Sequence, residues 1–450
     1  MKAAAAPPTG ARRRRFLALL VAVGTCSAID RVGVITMGPA MAKDLALTDF
    51  QLGLTGGFAF ALLYAVLGLP IARIADRGIR VRLISVSVLI WSLFLMISGL
   101  VRNFTQLLVA RMIVGIGEAG VQPPAVSLVS DLYPREKRGG ALGIMALGVP
   151  IGTVIGSIAG GSLTEALSWR AALLILGAPG LLLALVFALA TREPSRGLCD
   201  PDALPDTETP ALRAVVRRLA ARRSFWHLLA AIGVANVAIF GLGAFLPQYF
   251  TRVVHLSLGQ TGVIYGVVGA VSTIGYLFGG QLADRAGRRD ARWQAWICAA
   301  GVLAGAPFYV ANFHVVDPVL ATVLLTIGGT CMFIYFTPTQ LILQNMVDPK
   351  MRATAAFVFF FVSGLLGSGL GPPLVGLVSD MAAARHFAGD YGALCAAGAG
   401  RADGLAAVQA ACADAAAFGV RIALTAASLL FFWAAAHFLL AARTLREDLG

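Results

Sequence analysis

Gly280-Gln281-Leu282-Ala283-Asp284-Arg285-Ala286-Gly287-Arg288-Arg289 has a counterpart earlier in the chain, Ile71-Ala72-Arg73-Ile74-Ala75-Asp76-Arg77-Gly78, followed by Arg80 and Arg82. Each string closes one apolar run and precedes the next. A lone Asp-Arg pair carries little weight, but two copies at matched positions between apolar segments are the mark of a duplicated unit. Pro123 with Pro338 and Pro134 with Pro349 repeat at one common offset, and the basic residues Arg138 and Arg352 follow within a residue of it. The chain therefore reads as two related halves.

Composition says what those halves are made of. Of 450 residues 58% are hydrophobic and only 13% charged, against about a quarter charged in an average globular domain. No aqueous fold hides that much apolar surface, and a disordered chain carries more charge. At about 20 residues per crossing, the apolar runs place spans at 16–41, 50–73, 82–101, 104–129, 138–162 and 170–191, then at 224–250, 258–283, 293–312, 317–345, 352–380 and 418–442. The expected fold is all-α: a polytopic membrane protein of twelve transmembrane helices in two pseudo-symmetric six-helix bundles.

The net charge of +13 comes from loops between spans, with no aromatic-interleaved basic face, so nucleic acid is not an expected partner. With both termini on the cytoplasmic side, by far the larger share of the 36 Lys and Arg falls in cytoplasmic segments, as the positive-inside rule requires. Arg13-Arg14-Arg15 before an apolar stretch resembles a twin-arginine export signal, but the run continues to about Met41, too long for a signal, and reads as a retained first span. The expected layout is a cytoplasmic tail (1–15), a first bundle (16–191), a cytoplasmic linker (192–223), a second bundle (224–442) with a long periplasmic loop (381–417), and a tail (443–450). The linker alternates Pro194, Pro201, Pro205 and Pro210 with acids before Arg213, Arg217, Arg218, Arg222 and Arg223, which lipid would not accept; a surface helix near 211–222 is expected in it. Ala, Gly and Arg richness suggests a bacterial inner membrane.

Cys26, Cys298 and Cys331 fall in spans and Cys199 in the linker, where each reads as a small apolar side chain. Cys395 and Cys412 share the outer loop, where a local disulfide and two free thiols both stay open. No metal-ligand spacing, Walker loop or nucleophile elbow is present, so neither a metal nor an organic cofactor is expected, and energy would come from a proton gradient.

Four charges lie inside spans: Asp30, Arg31, Arg111 and Glu118. Each costs roughly 2.5–3.5 kcal/mol at a span centre on insertion scales, so they demand a role. Asp30 and Glu118 are at similar depth near mid-span. Arg111 lies two helical turns from Glu118 on the same face, too far for an easy bridge, and is expected to reach Asp30. Either these charges lock two helices together, or a carboxylate exchanges a proton as Arg111 changes partners; Glu118 is the first candidate carrier and Asp30 the second, with Arg111 and Arg31 as charge partners. At the common offset Arg111 corresponds to Thr326 and Glu118 to Phe333, so coupling belongs to the first half. Asn236, Phe333, Tyr335, Thr337 and Gln340 are then candidates for the substrate wall of the second.

The paired Asp-Arg loops, the Arg111 to Gly117 run, and the Gly- and Pro-rich fifth and eleventh spans resemble the major facilitator superfamily over the whole chain. The first loop departs from that family's pattern at Ala72 and Ile79, where it carries glycines. The resemblance implies a cytoplasmic gate at Asp76, Arg77, Asp284 and Arg285, a reading that carboxylates at helix ends independently allow. Ala28-Ile29-Asp30-Arg31, Gly115-Ile116-Gly117-Glu118-Ala119 and Gly148-Val149-Pro150-Ile151-Gly152 are similar to the Spinster-like branch, which is associated with lysophospholipids and sphingoid lipids.

The expected function is secondary active transport by alternating access, proton-coupled, of an amphipathic or lipid-like organic solute, with protons and membrane lipids as the other partners and a monomer as the working unit. Aromatic residues near the cavity helices, Phe58, Phe60, Phe240, Phe245, Phe333 and Phe336, favour a greasy solute. A multidrug proton antiporter, an organic-anion or sugar symporter using Arg31 or Arg111, and an intramembrane enzyme working through Asp30 and Glu118 are the alternatives.

Overall fold

The computed structural model describes residues 10–59, 61–63, 67, 70–71, 74, 78–196, 198–199, 212–396 and 406–449. Every regular element among them is helical. Eleven of these helices are long and apolar enough to cross a membrane, and Asp49–Leu63 forms a shorter apolar helix where the second span is expected. Part of that span, including Phe60, and Asp76 and Arg77 in the loop after it, lie outside the described residues. The fold is all-α and polytopic.

The chain divides into two compact units. The first gathers residues 1–40, 59–207 and 258–266, and the second 41–58, 208–257 and 267–450. The segments 41–58 and 258–266 thus pack with the opposite unit from their neighbours in sequence.

In the first unit the helices used below are α1 (Gly10–Asp44, whose last residues pass into the second unit), α3 (Arg80–Ser98), α4 (Phe104–Ala119), α5 (Gln122–Leu132), α7 (Gly148–Ala166) and α8 (Trp169–Ala190); α2 (Asp49–Gly53) belongs to the second unit and α6 (Arg135–Ala146) precedes α7. Phe16, Val88, Trp91, Val114, Leu128 and Phe187 form its core. The glycine row of α7 sets its distance from α1. A Cβ on Gly152 would lie 2.3 Å from the Thr25 carbonyl oxygen, and one on Gly156 would lie 2.7 Å from the Ile29 Cα. The two backbones touch because nothing larger than hydrogen stands between them.

The fourth span is not one helix. It breaks between α4 and α5, where Gly120 caps α4 and prolines open α5; Pro supplies no N–H to carry the ladder through. The tenth span breaks at the corresponding place, between α14 (Pro318–Phe333) and α15 (Phe336–Asn345), just ahead of Pro338. The internal duplication thus extends to the breaks themselves.

The remaining helices are α9 (Leu212–Ala220), α10 (Arg223–Arg252), α11 (Leu258–Ser272), α12 (Ile274–Gly287), α13 (Arg292–Asn312), α16 (Arg352–Gly364), α17 (Gly371–His386) and α18 (Ala406–Leu449). Tyr249 on α10 is fully buried and donates its hydroxyl to the carbonyls of Asn312 and Val315 at 2.7 and 2.5 Å, tying α10 to the end of α13. Two π-helical turns, Leu54–Phe58 after α2 and Leu365–Leu370 before α17, meet closely: a Cβ on Gly57 would lie 2.2 Å from the Ser368 carbonyl oxygen.

Helix ends differ from the apolar limits read in the sequence. α1 starts at Gly10 rather than 16, the surface helix of the linker is Leu212–Ala220, and α18 runs from Ala406 to Leu449 rather than 418–442. The loop between the last two spans shortens accordingly, with α17 continuing to His386. Hydropathy marks what lipid covers, whereas propensity and caps end a helix, and the Ala-rich stretch after 405 continues readily as helix in water. A disulfide joins Cys395 to Cys412, and Cys26, Cys199, Cys298 and Cys331 are free.

Candidate functional site

Asp30 and Arg31 stand on α1 beside the close crossing with α7, and Arg111 and Glu118 on α4. Gly117 and Gly120 bring the end of α4 against α3, since a Cβ on Gly117 would lie 2.9 Å from the Ser87 carbonyl oxygen. Glu118 therefore sits in the last turn before the break, pressed inward.

The four charges pair crosswise between the helices. Arg111 donates from Nη1 to Asp30 Oδ1 at 2.8 Å, with side chains 3% and 0% exposed. Arg31 brings Nε to 3.1 Å from Glu118 Oε2, with Glu118 3% and Arg31 47% exposed. That second contact joins the charges without hydrogen-bond geometry, and Arg31 also donates from Nη2 to Ser27 Oγ at 2.8 Å. One pair is sealed; the other holds a buried acid against a half-exposed guanidinium. Asp30 Oδ2 and Arg111 Nε are buried with no hydrogen-bond partner, so even the sealed pair keeps polar atoms that a new donor or acceptor would satisfy.

In the second unit Tyr335 and Asn236 meet. The buried Tyr335 donates its hydroxyl to Asn236 Oδ1 at 3.0 Å, and Asn236 donates through Nδ2 to the Ser363 carbonyl at 3.4 Å. Phe333 stacks on Tyr276 at 4.7 Å, Phe336 meets the same ring edge-on at 5.0 Å, and Thr337 donates to the Tyr276 carbonyl at 3.0 Å. Gln340 is half-buried on α15. Asn236 and Tyr335 thus form one polar pair, whereas Phe333 and Thr337 pack on α12. Phe245 is fully buried, while Phe58 and Phe240 are exposed.

Asp284 and Arg285 are exposed at the end of α12. The ordered charges near them come from residues that sequence reasoning passed over: Asp290 accepts from Arg292 Nε at 3.0 Å and from Arg446 Nη2 at 2.9 Å. The backbone N–H of Arg292, then its side chain and Arg446, hold the Asp290 carboxyl below the usual carboxylate range.

Two further clusters were equally hidden. Arg80, 1% exposed, binds Asp131 at the end of α5, Ser127 Oγ at 2.8 Å, Glu193 Oε1 at 2.7 Å and the Pro194 carbonyl at 3.3 Å. In the second unit Arg252 makes a two-pronged contact with Asp49 at 2.8 Å for each arm, and Ser379 donates to the same carboxylate at 2.6 Å. Asp380 then accepts the N–H groups of Asp49 and Phe50 at 3.0 and 2.8 Å, satisfying the open end of α2. Among the described residues no three metal-binding side chains converge.

A bundle of lipid-length helices with a duplicated plan, helix breaks at matching places and charges paired at mid-span defines a multi-pass membrane transporter. The sequence profile of the Major Facilitator Superfamily matches residues 20–372, and the chain belongs to that superfamily. An "MFS-type efflux pump" of Mycolicibacterium smegmatis is 32% identical over 380 residues, 82% of this chain and 85% of the relative. Human "Protein spinster homolog 1" is 28% identical over 391 residues, 82% of this chain and 73% of the relative. The crystal structure of a bacterial homologue of the human lysosomal transporter Spinster, in an inward-facing and unoccupied conformation, superposes with a TM-score of 0.87 at 31% identity, covering 98% of this chain and 99% of that one. The Spinster-like resemblance read from three short motifs thus extends along the whole fold.

Proposed function

We propose that the protein is a proton-coupled secondary transporter that moves an amphipathic, lipid-like organic solute by alternating access between its two six-helix halves. Glu118 carries the proton, with Asp30 as second carrier, and Arg111 and Arg31 as their partners. The observation that supports this most is the inequality of the two crossed pairs. Asp30 and Arg111 are both sealed, whereas Glu118 faces an Arg31 that is 47% exposed and also held by Ser27. A proton arriving on Glu118 cancels the attraction and frees Arg31 at little cost, because that guanidinium is already half solvated. The released cation then suits the phosphate of a lysophospholipid-like solute, and loss of the proton returns Arg31 to Glu118.

Asn236 and Tyr335, with Phe333, Thr337 and Gln340, supply the uncharged wall for the solute. Asp284 and Arg285, and Asp76 and Arg77 outside the described residues, gate the cytoplasmic side. The protein works as a monomer in a bacterial inner membrane with both termini in the cytoplasm, on proton-gradient energy without metal or organic cofactor. The resemblance to Spinster proteins supports the solute class, and the mycobacterial relative described as an efflux pump supports transport. Proteoliposome uptake of a lysophospholipid panel, with and without a pH step, tests the reading: accumulation that follows the pH step is expected, and solute turnover to a product in detergent without any gradient would overturn it.

A further inference from the structure

The outer face of the first unit carries a trough between α3 and α8 of about 500 Å³. Val86 and Leu89 on one side and Leu181, Leu185 and Ala188 on the other form its apolar floor and walls. Polar groups stand at one end only: Arg82, Ser85, Thr191 and Glu193. From Ile79 to Leu89, at about 1.5 Å per helical residue, it runs about 15 Å, half of the ~30 Å hydrocarbon core and thus one leaflet deep.

The charge at the polar end is one-sided. Glu193 is already engaged, accepting from Arg80 Nε at 2.7 Å and from the Val81 N–H at 2.9 Å. Ser85 and Thr191 donate their hydroxyls within their own helices, to Val81 and Phe187 carbonyls. Arg82 is exposed into the mouth, and Arg196 donates at 3.1 Å to the carbonyl of Gly78, the residue before the lining Ile79. A ligand that fits has one long apolar chain and an anionic head at interface depth.

We propose that this trough is a binding site for one anionic phospholipid of the surrounding leaflet, an acyl chain lying between α3 and α8 and the phosphate on Arg82. The seat abuts Glu193, and through it Arg80 and Asp131, so bound lipid braces the junction where α3, α5 and the segment after α8 meet.

Native mass spectrometry of the purified full-length protein with equimolar phosphatidylglycerol and phosphatidylcholine tests the site. The wild type is expected to retain one phosphatidylglycerol in preference to phosphatidylcholine. Arg82→Gln is expected to lower that retention about fivefold, the effect of one cation near an anionic lipid surface, and Ala188→Trp to abolish it by filling the trough. Leu277→Trp, an exposed position on the other unit, should change nothing. Arg82 is exposed, so its variant folds and decides the matter even if Ala188→Trp does not. Equal retention of both lipids by the wild type, or unchanged phosphatidylglycerol retention in Arg82→Gln, overturns the proposal.

Discussion

Removing Arg111 isolates Asp30, the most deeply buried acid among the described residues of the first unit. Asp30 is 1% exposed and its Oδ1 relies on Arg111 Nη1 at 2.8 Å, while Arg31, the neighbouring cation, is turned to Glu118. Breaking such a pair from one side costs about 3–5 kcal/mol, because an uncompensated charge is left in a medium that cannot solvate it. At roughly 2–4 °C per kcal/mol for large domains, Arg111→Met should lower the midpoint of heat inactivation by about 10 °C, read as the fraction of monodisperse protein that survives heating on gel filtration. Asp30→Asn/Arg111→Met buries no charge and should recover most of the loss, since uncharged replacements of buried pairs are often neutral or better. A single variant as stable as wild type, or a double variant no better than the single, would refute the pairing as an energetic unit. Because stability and coupling separate here, the recovered double variant should still fail at pH-driven uptake.

The α1–α7 crossing predicts a steric asymmetry: Gly152→Val should abolish folded protein because even its Cβ would meet the Thr25 carbonyl at 2.3 Å, whereas Gly143→Ala, with nothing within 4 Å, should express normally. In the second unit Arg252→Gln leaves the buried Asp49 against Asp380 without a cation and should lower the heat-inactivation midpoint by roughly as much as Arg111→Met; unchanged stability would count against it. The Asp290 carboxyl is held low, so its contribution is full above the unfolded value of about 3.9 and is lost as pH falls through the folded value. Asp290→Asn should therefore be less heat-stable than wild type at pH 6, and the gap should close below pH 4. Maleimide-polyethylene glycol should shift the denatured, unreduced protein by the four free thiols and the reduced protein by all six cysteines; six shifts without reduction would exclude the Cys395–Cys412 bond.

Much of this architecture is written in local chemistry. Apolar runs and the charges between them locate the spans, and the repeated Pro123 and Pro338 mark both helix breaks, because proline acts on the backbone wherever it stands. The side shared by Arg111 and Glu118 follows from 3.6 residues per turn, and so does the reach of Arg111 toward α1. What the sequence cannot express is the choice among partners across space. Arg31 meets Glu118 across the gap between α1 and α4, and the glycines of α7 set how closely that helix approaches α1. Arg80 reads as one more basic loop residue, although it is buried among Asp131, Glu193 and Ser127. Asp49, Arg252 and Asp380 lie at the ends of spans, where solvated charge is ordinary, and only the packing of α2 onto α10 and α17 joins them. Tyr335 and Thr337 look alike as wall candidates on one span, yet one turns to Asn236 and the other to the Tyr276 carbonyl.

Proton movement measured inside lysophospholipid-loaded proteoliposomes tests the central claim most directly. With a pH-sensitive dye in the lumen, wild-type protein should move protons whenever solute flows down its gradient. Glu118→Gln should still exchange labelled for unlabelled solute but leave the dye unchanged. Proton flux of wild-type size in Glu118→Gln would contradict the assignment of the coupling to that carboxylate.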